Sequence, residues 1–262
     1  MFIDNINPIL LHYNFITIRW YGLFLTIGII LSVLIYHKLF KEKNYSTDLV
    51  YDLSIWLVIG GLIGARLGHI LFYNLDYFLA NPTEIIMINH GGLASHGMTI
   101  GILITIWLYQ KIKKIDIKKY FDLLVISIPF LATFIRLGNF FNSEIVGKPT
   151  TMPWGVYFPK FDSGEMILRH PSQIYESLTA LIIFVIIYLI YKKYKNLPQY
   201  FITNLFLILY FSTRFLLEFF KARDTLLTFP ISMGQLLSIP FILWSIYWFW
   251  SSRNTKHIAR NK

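Results

Sequence analysis

The chain has 262 residues, of which 55% are hydrophobic, 18% aromatic and only 15% charged, whereas soluble domains carry about 25% charged residues. It contains no cysteine, which excludes disulfides, thiolate metal sites and a cysteine nucleophile of its own. The net charge is +10, but the basic residues sit mainly in short loops between long apolar blocks, where they report membrane orientation and attraction to anionic lipid rather than to nucleic acid.

Residues 1–15 have no basic leader and no small-residue cleavage site, so no removable signal peptide is expected. A membrane span needs about 20 mostly apolar residues. Seven are predicted, at 18–37, 51–74, 92–110, 121–141, 173–191, 200–220 and 227–250. The expected fold is therefore an all-α polytopic membrane protein with seven transmembrane helices, one membrane domain over residues 1–262. Lys38, Lys41 and Lys43 follow the first span, and Lys111, Lys113, Lys114, Lys118 and Lys119 the third. Lys192, Lys193 and Lys195 follow the fifth, and Arg253, Lys256, Arg260 and Lys262 the seventh. The alternate loops hold only Lys148, Lys160, Arg169, Lys221 and Arg223. Excess Lys and Arg mark the cytoplasmic side, which puts the N-terminus outside and the C-terminus in the cytoplasm.

Two outer segments are more than turns. Residues 75–89 are apolar with scattered polar groups, suited to lying flat in the interface. Residues 146–169 are richer in Pro, Gly and charge, and 154–158 has strand-like composition. A small outer head at 142–172, between spans four and five, is expected. There is no internal repeat or low-complexity tract.

Ionisable residues inside spans are costly, at least ~2.5 kcal/mol each on insertion scales, and call for a partner or a function. Arg66 lies in span two, His96 near the start of span three, Arg136 near the end of span four, and Arg214 with Glu218 late in span six. By the loop count all fall toward the outer ends of their helices, which implies one cavity opening outward. Tyr210, Arg214 and Glu218 recur every four residues, and Arg136 and Asn139 are three apart, so each set shares a helix face. An Arg214–Glu218 ion pair would leave Arg136 and Arg66 with no evident acid but Glu144. Surplus guanidinium charge facing an outer cavity suits a phosphate. Gly60, Gly64 and Gly68 form a small-residue stripe for helix packing. Gly91, Gly92 and Gly97 bracket His96, a setting read as functional, whereas His69 and His90 lack it. His96 is the side chain suited to accept a proton near neutral pH, although it could instead order the glycine loop.

The segment Arg136-Leu137-Gly138-Asn139-Phe140-Phe141-Asn142-Ser143-Glu144-Ile145-Val146-Gly147 resembles the signature of the bacterial prolipoprotein diacylglyceryl transferases. Further family-like blocks follow in order: Arg19 to Gly22, the span-two glycine and arginine block, Gly91 to Gly97, Arg169 to Gln173, Arg214 to Phe220, and Ser232 to Gln235. Ile135 departs from the family pattern, which has a small residue there, as does Lys148, where an arginine is common. Neither removes a polar residue of the motif. The resemblance implies transfer of the diacylglyceryl group of phosphatidylglycerol to the lipobox cysteine thiol of a preprolipoprotein signal peptide, with thioether formation and release of glycerol phosphate. The implied location is the bacterial inner membrane, with the active site toward the outer leaflet. The nucleophile then comes from the substrate, and no metal, cofactor or nucleic acid is expected. Arg136 would take the lipid phosphate, organised by Asn139 and Glu144. Gly147 counts with the substrate-binding set and Arg66 as a supporting member. Arg214 would be the second phosphate contact, oriented by Glu218, Tyr21 and Tyr210 would close the site, and His96 would serve as base. Arg169 to Gln173 reads equally as a structural junction or a substrate contact, with Pro171 and Ser172 as a helix start. The competing class is a transporter of an anionic lipid or anion, which would place its site nearer the midplane and often shows repeats.

Overall fold

Near the N-terminus the chain makes strands before it makes helices. β1 (Phe2–Ile3) is followed by a hairpin of β2 (Ile9–Tyr13) and β3 (Ile16–Arg19), paired antiparallel. Asn14 makes the turn at φ 52°, a left-handed conformation that asparagine tolerates. His12 Nδ1 and Thr17 Oγ1 meet across the strands at 2.9 Å. Residues 18 and 19, expected in the first span, thus belong to β3, because β-branched Ile16, Thr17 and Ile18 suit a pleated strand. The computed structural model describes residues 2–14, 16–87, 91–222 and 231–260, with the backbone alone for Ile16 and 253–260. Ile88 and Asn89 of the expected outer segment, His90, Arg223, the first four residues of the seventh predicted span and Lys262 lie outside the described residues, as do the side chains of Arg253, Lys256 and Arg260.

The remainder is mostly helical. α1 (Trp20–Glu42) and α2 (Asp48–Tyr73) precede a short α3 (Leu75–Ala80) and a 3-10 turn at Pro82–Ile86, in the segment expected to lie in the interface. α4 (Ser95–Lys113) follows, then α5 (Phe121–Leu124) and α6 (Ile128–Phe141), which a 3-10 turn at Val125–Ser127 separates. Pro129 opens α6 there, and proline has no N–H to continue a preceding helix. α7 (Ser172–Lys193), α8 (Phe201–Leu217) and α9 (Met233–Arg260) complete the chain. Among the described residues, five stretches are long and apolar enough to cross a membrane: Trp20–Glu42, Asp48–Tyr73, Ile117–Phe141, Ser172–Lys193 and Phe201–Phe220. The predicted third and seventh spans overlap α4 and α9, which are not among those five. The surface is inverted relative to a soluble protein. Leu103, Trp107, Leu189 and Trp244 are exposed while Arg66, Asn139, Gln173, Glu176 and Lys221 are buried, as expected where the solvent for side chains is lipid.

The chain divides into two compact units, residues 1–32 with 121–262, and residues 33–120. In the second unit α2 packs on α4 backbone to backbone. A Cβ on Gly64 would lie 2.6 Å from Gly101 Cα, and one on Gly68 2.6 Å from Gly97 Cα. Such close approach is the packing that small-residue stripes allow. Gly97, read as functional, therefore belongs to this seam, opposite the span-two stripe.

In the first unit α6, α7, α8 and α9 pack in succession. Thr133 Oγ1 donates to Ser177 O at 3.4 Å and Ser177 Oγ to Thr133 O at 3.1 Å, joining α6 to α7. The loop between these helices folds as a small head. β1 runs parallel to β4 (Val156–Tyr157), which pairs antiparallel with β5 (Leu168–Arg169). Val146, Val156 and Phe158 are its core. Arg169 holds Asp162 through Nε at 2.9 and 3.0 Å and Nη2 at 2.5 Å, which braces the head.

Candidate active site

The end of α6 sets the geometry. Arg136 and Asn139 share a face, and the chain then turns sharply through Ser143 and Ile145, at φ 53° and 55°. The turn returns Glu144 toward the helix, with its N–H donating to Asn139 O at 2.9 Å. Three contacts clamp it. Ser143 Oγ donates to the buried Asp4 carboxylate at 2.6 Å, Ser172 Oγ to Ile145 O at 2.8 Å, and Gln173 Nε2 to Glu144 O at 2.7 Å.

The motif's polar residues form a chain. Asn142 and Asn139 each donate to Glu144 at 3.1 Å, and Arg136 Nη1 donates to Asn139 Oδ1 at 3.2 Å. Arg136 Nε also lies 3.1 Å from Glu176 Oε2 on α7. Glu176 Oε1 holds Lys221 Nζ at 2.7 Å, and Lys221 holds Glu218 Oε2 at 3.1 Å. Glu176 is thus the direct acid for Arg136, in place of Glu144, which reaches it through Asn139. Glu176 was legible as the one acid inside the fifth predicted span. Lys221, expected as a loop charge, is buried, and its spacing of three residues from Glu218 was the available signal.

Arg214 and Glu218 do not pair among the described residues. α8 ends at Leu217 and a 3-10 turn follows at Glu218–Phe220, yet the Glu218 N–H still donates to Arg214 O; the Glu218 carboxylate is taken by Lys221. That carboxylate also lies against Gly234, where a Cβ would stand 2.8 Å away. Ser232 and Gln235 hold that start of α9 as a reciprocal cap, Gln235 N–H donating to Ser232 Oγ at 3.2 Å and Ser232 N–H to Gln235 Oε1 at 3.0 Å. The Arg214 guanidinium has no hydrogen-bond or ion-pair partner among the described residues. It lines a cavity of about 20 Å³ with Arg136, Glu176, Thr179, Tyr210 and Thr213. Tyr21 packs over Gly138, where a Cβ would meet its ring at 2.9 Å, close enough to Glu144 and Arg136 to feel both charges. Gly147 sits where backbones cross, its N–H donating to His170 O at 3.0 Å, and a Cβ there would lie 2.9 Å from Phe220 O.

Arg66 and His96 belong to the other unit and are described within it. Arg66 is buried and directs its five donors at five backbone carbonyls: Ile85 at 3.0 Å, Gly91 at 2.5 Å, Gly92 at 3.1 Å, Met87 at 3.2 Å, and Glu84. It also stacks on Phe78 at 4.9 Å. A guanidinium has five N–H groups, so none is left for a ligand, and Arg66 orders the segment between α3 and α4 instead. Gly91 and Gly92, at φ 87° and 74°, present their carbonyls to it. His96 is the second residue of α4, exposed, beside the rings of Phe72 at 5.5 Å and Tyr73 at 5.6 Å.

The family model described as prolipoprotein diacylglyceryl transferase matches residues 8–251. Among similar proteins is the phosphatidylglycerol--prolipoprotein diacylglyceryl transferase of Tolumonas auensis, 38% identical over 244 residues, or 91% of this chain and 93% of that one. The enzymes of the same name from Chloroherpeton thalassium and Pseudomonas fluorescens are 40% and 33% identical, covering 87% and 98% of this chain and 85% and 97% of their own. With a match across almost its whole length, the chain belongs to the prolipoprotein diacylglyceryl transferase family.

Proposed function

We propose that this protein transfers the diacylglyceryl group of phosphatidylglycerol to the lipobox cysteine of preprolipoproteins. The observation that carries the reading is the cavity that brings Arg136 and Arg214 together, Arg214 having no partner of its own among the described residues. Two guanidinium groups at one point match a phosphodiester whose leaving oxygen gains charge as the bond breaks. The substrate thiolate attacks the glyceryl carbon bonded to phosphate. A carbon–sulfur bond forms, the carbon–oxygen bond breaks, and glycerol phosphate departs with the electron pair. The thiol proton goes to a base, for which His96 is our choice. Asn139 and Glu144 organise Arg136, Tyr21 and Tyr210 border the lipid, and Glu218 and Gly147 shape the walls. Arg66 supports the outer segment.

In this reading the protein is one membrane domain in the bacterial inner membrane, with seven spans, N-terminus outside and C-terminus cytoplasmic. The head at 142–172 and the reaction face the outer leaflet. The distribution of fifteen basic loop and tail residues on one side against five on the other supports that orientation. The partners are phosphatidylglycerol, the signal peptide and the bilayer, with no nucleic acid and no cofactor. An anion or anionic-lipid transporter is not favoured, since the relatives are named as transferases. The test is purified protein with phosphatidylglycerol and a lipobox peptide, followed by mass spectrometry. A diacylglyceryl thioether is expected, and its absence with correctly inserted protein refutes the reading.

A further inference from the structure

Arg136 is held on two sides. Glu176 Oε2 lies 3.1 Å from its Nε as an ion pair without hydrogen-bond geometry, and Asn139 Oδ1 accepts from its Nη1, so among the described residues the Nη2 group and the second Nη1 hydrogen have no partner. Glu176 divides its carboxylate between two cations on different elements, Oε2 to Arg136 on α6 at 3.1 Å and Oε1 to Lys221 beyond α8 at 2.7 Å. Its side chain is 8% exposed and that of Lys221 9%. A buried carboxylate fixed from one side by an ammonium can turn little, and whatever it holds on the other side is fixed with it. Arg136 also has a competing acid, Glu144, reached through Asn139. Without Glu176 the guanidinium would be free to swing toward it. Glu176 also lines the cavity beside Arg214, so its pull acts where the phosphate would sit.

We propose that Glu176, anchored by Lys221, is a positioning residue for diacylglyceryl transfer: it holds Arg136 so that the unpartnered edge of the guanidinium meets the lipid phosphate. This rests on the transferase reading above. Glu176 touches neither thiol nor glyceryl carbon in this role, and Lys221, four residues beyond the end of α8, acts through it.

Glu176→Asp is the informative variant. It keeps the negative charge opposite Lys221, so no buried ammonium is stranded, but it is one methylene too short to reach both cations. Removing an orienting partner of a binding group typically costs about 10–100-fold, so affinity for dispersed short-chain phosphatidylglycerol should fall by that factor. Thermal unfolding should remain near that of the unsubstituted protein. The loss should largely vanish when the same change is made in Arg136→Lys, because Glu176 acts only through that guanidinium. Retained affinity in Glu176→Asp, an equal loss in the Arg136→Lys background, or loss of the fold would each overturn the proposal, the last by assigning Glu176 to stability. Because lipid affinity is read separately from thioether formation, an unsubstituted protein that binds the lipid but forms no thioether refutes the reaction rather than the positioning role.

Discussion

Arg66→Lys tests whether one guanidinium orders the segment between α3 and α4. Arg66 spends five donors on the carbonyls of Glu84, Ile85, Met87, Gly91 and Gly92. An ammonium has three donors and no planar fork, so at least two carbonyls lose their partner. Hydrogen bonds to charged groups contribute about 1.5–3 kcal/mol each, a gross loss of about 3–6 kcal/mol. Water reaching the outer carbonyls returns part of this, leaving about 2–4 kcal/mol, or roughly a 30- to 1,000-fold rise in local opening. Hydrogen exchange read by mass spectrometry should show that acceleration at residues 84–87 and 91–94. Amides of the head such as Gly147 and Thr150, which donate to His170 O and Leu168 O, should be unaffected. Unchanged exchange at 84–87, or acceleration spread evenly over both regions, would refute the idea that the carbonyl cage holds this segment. Transfer should fall less than in Arg136→Lys.

Arg136→Lys can keep charge but cannot hold Glu176 and Asn139 while offering a planar edge, so thioether formation should drop by about 100-fold or more with inserted protein unchanged; near-normal turnover would show that a positive field suffices. His96→Gln should bind phosphatidylglycerol normally and transfer about 100- to 10,000-fold more slowly near neutral pH. It should recover as pH rises toward the thiol's own pKa of about 8.5, where solvent supplies the thiolate, whereas a pH-independent defect with lipid binding lost makes His96 a scaffold. Gly64→Ala forces a Cβ to within 2.6 Å of Gly101 Cα, and overpacking of this kind costs about 1–3 kcal/mol, so thermal unfolding should shift down; an unchanged midpoint would mean that α2 and α4 part easily. In a chain without native cysteine, a single cysteine at position 160 should react with an impermeant reagent in intact cells and one at 114 only after permeabilisation, and labelling at 114 in intact cells would invert the topology.

What the sequence made legible follows from how each signal is encoded. Helices with long apolar runs were plain, because lipid exposure writes itself into consecutive residues. The Arg136, Asn139 and Glu144 constellation was plain too, since its members lie within nine residues. Glu176 and Lys221 were harder. Their link to Arg136 spans three separate elements, and spacing along one helix says nothing about that. The packing role of Gly97 was missed for a related reason. Its neighbour in sequence is His96, but its neighbours in space are Gly64 and Gly68, and only pairing the two helices distinguishes these. The Arg214–Glu218 pair did not form although Glu218 N–H still bonds Arg214 O, because Lys221, three residues on, takes the carboxylate.

The pairing of β1 with β4 bears on the order of biogenesis. Phe2 and Ile3 hydrogen-bond beside Val156 and Tyr157, and Asp4 is closed off by Ser143. At about 5–20 residues per second of synthesis, the opening strand waits roughly 8–30 seconds for its partner to be made. Meanwhile α1, α2, α4 and α6 must all leave the ribosome. The edge of β1 stays unsatisfied throughout, available to chaperones or to mispairing. Sealing of the head is therefore a late event in maturation, and protection of the Asp4 amide, which donates to Tyr157 O, from hydrogen exchange would serve as a clock for it.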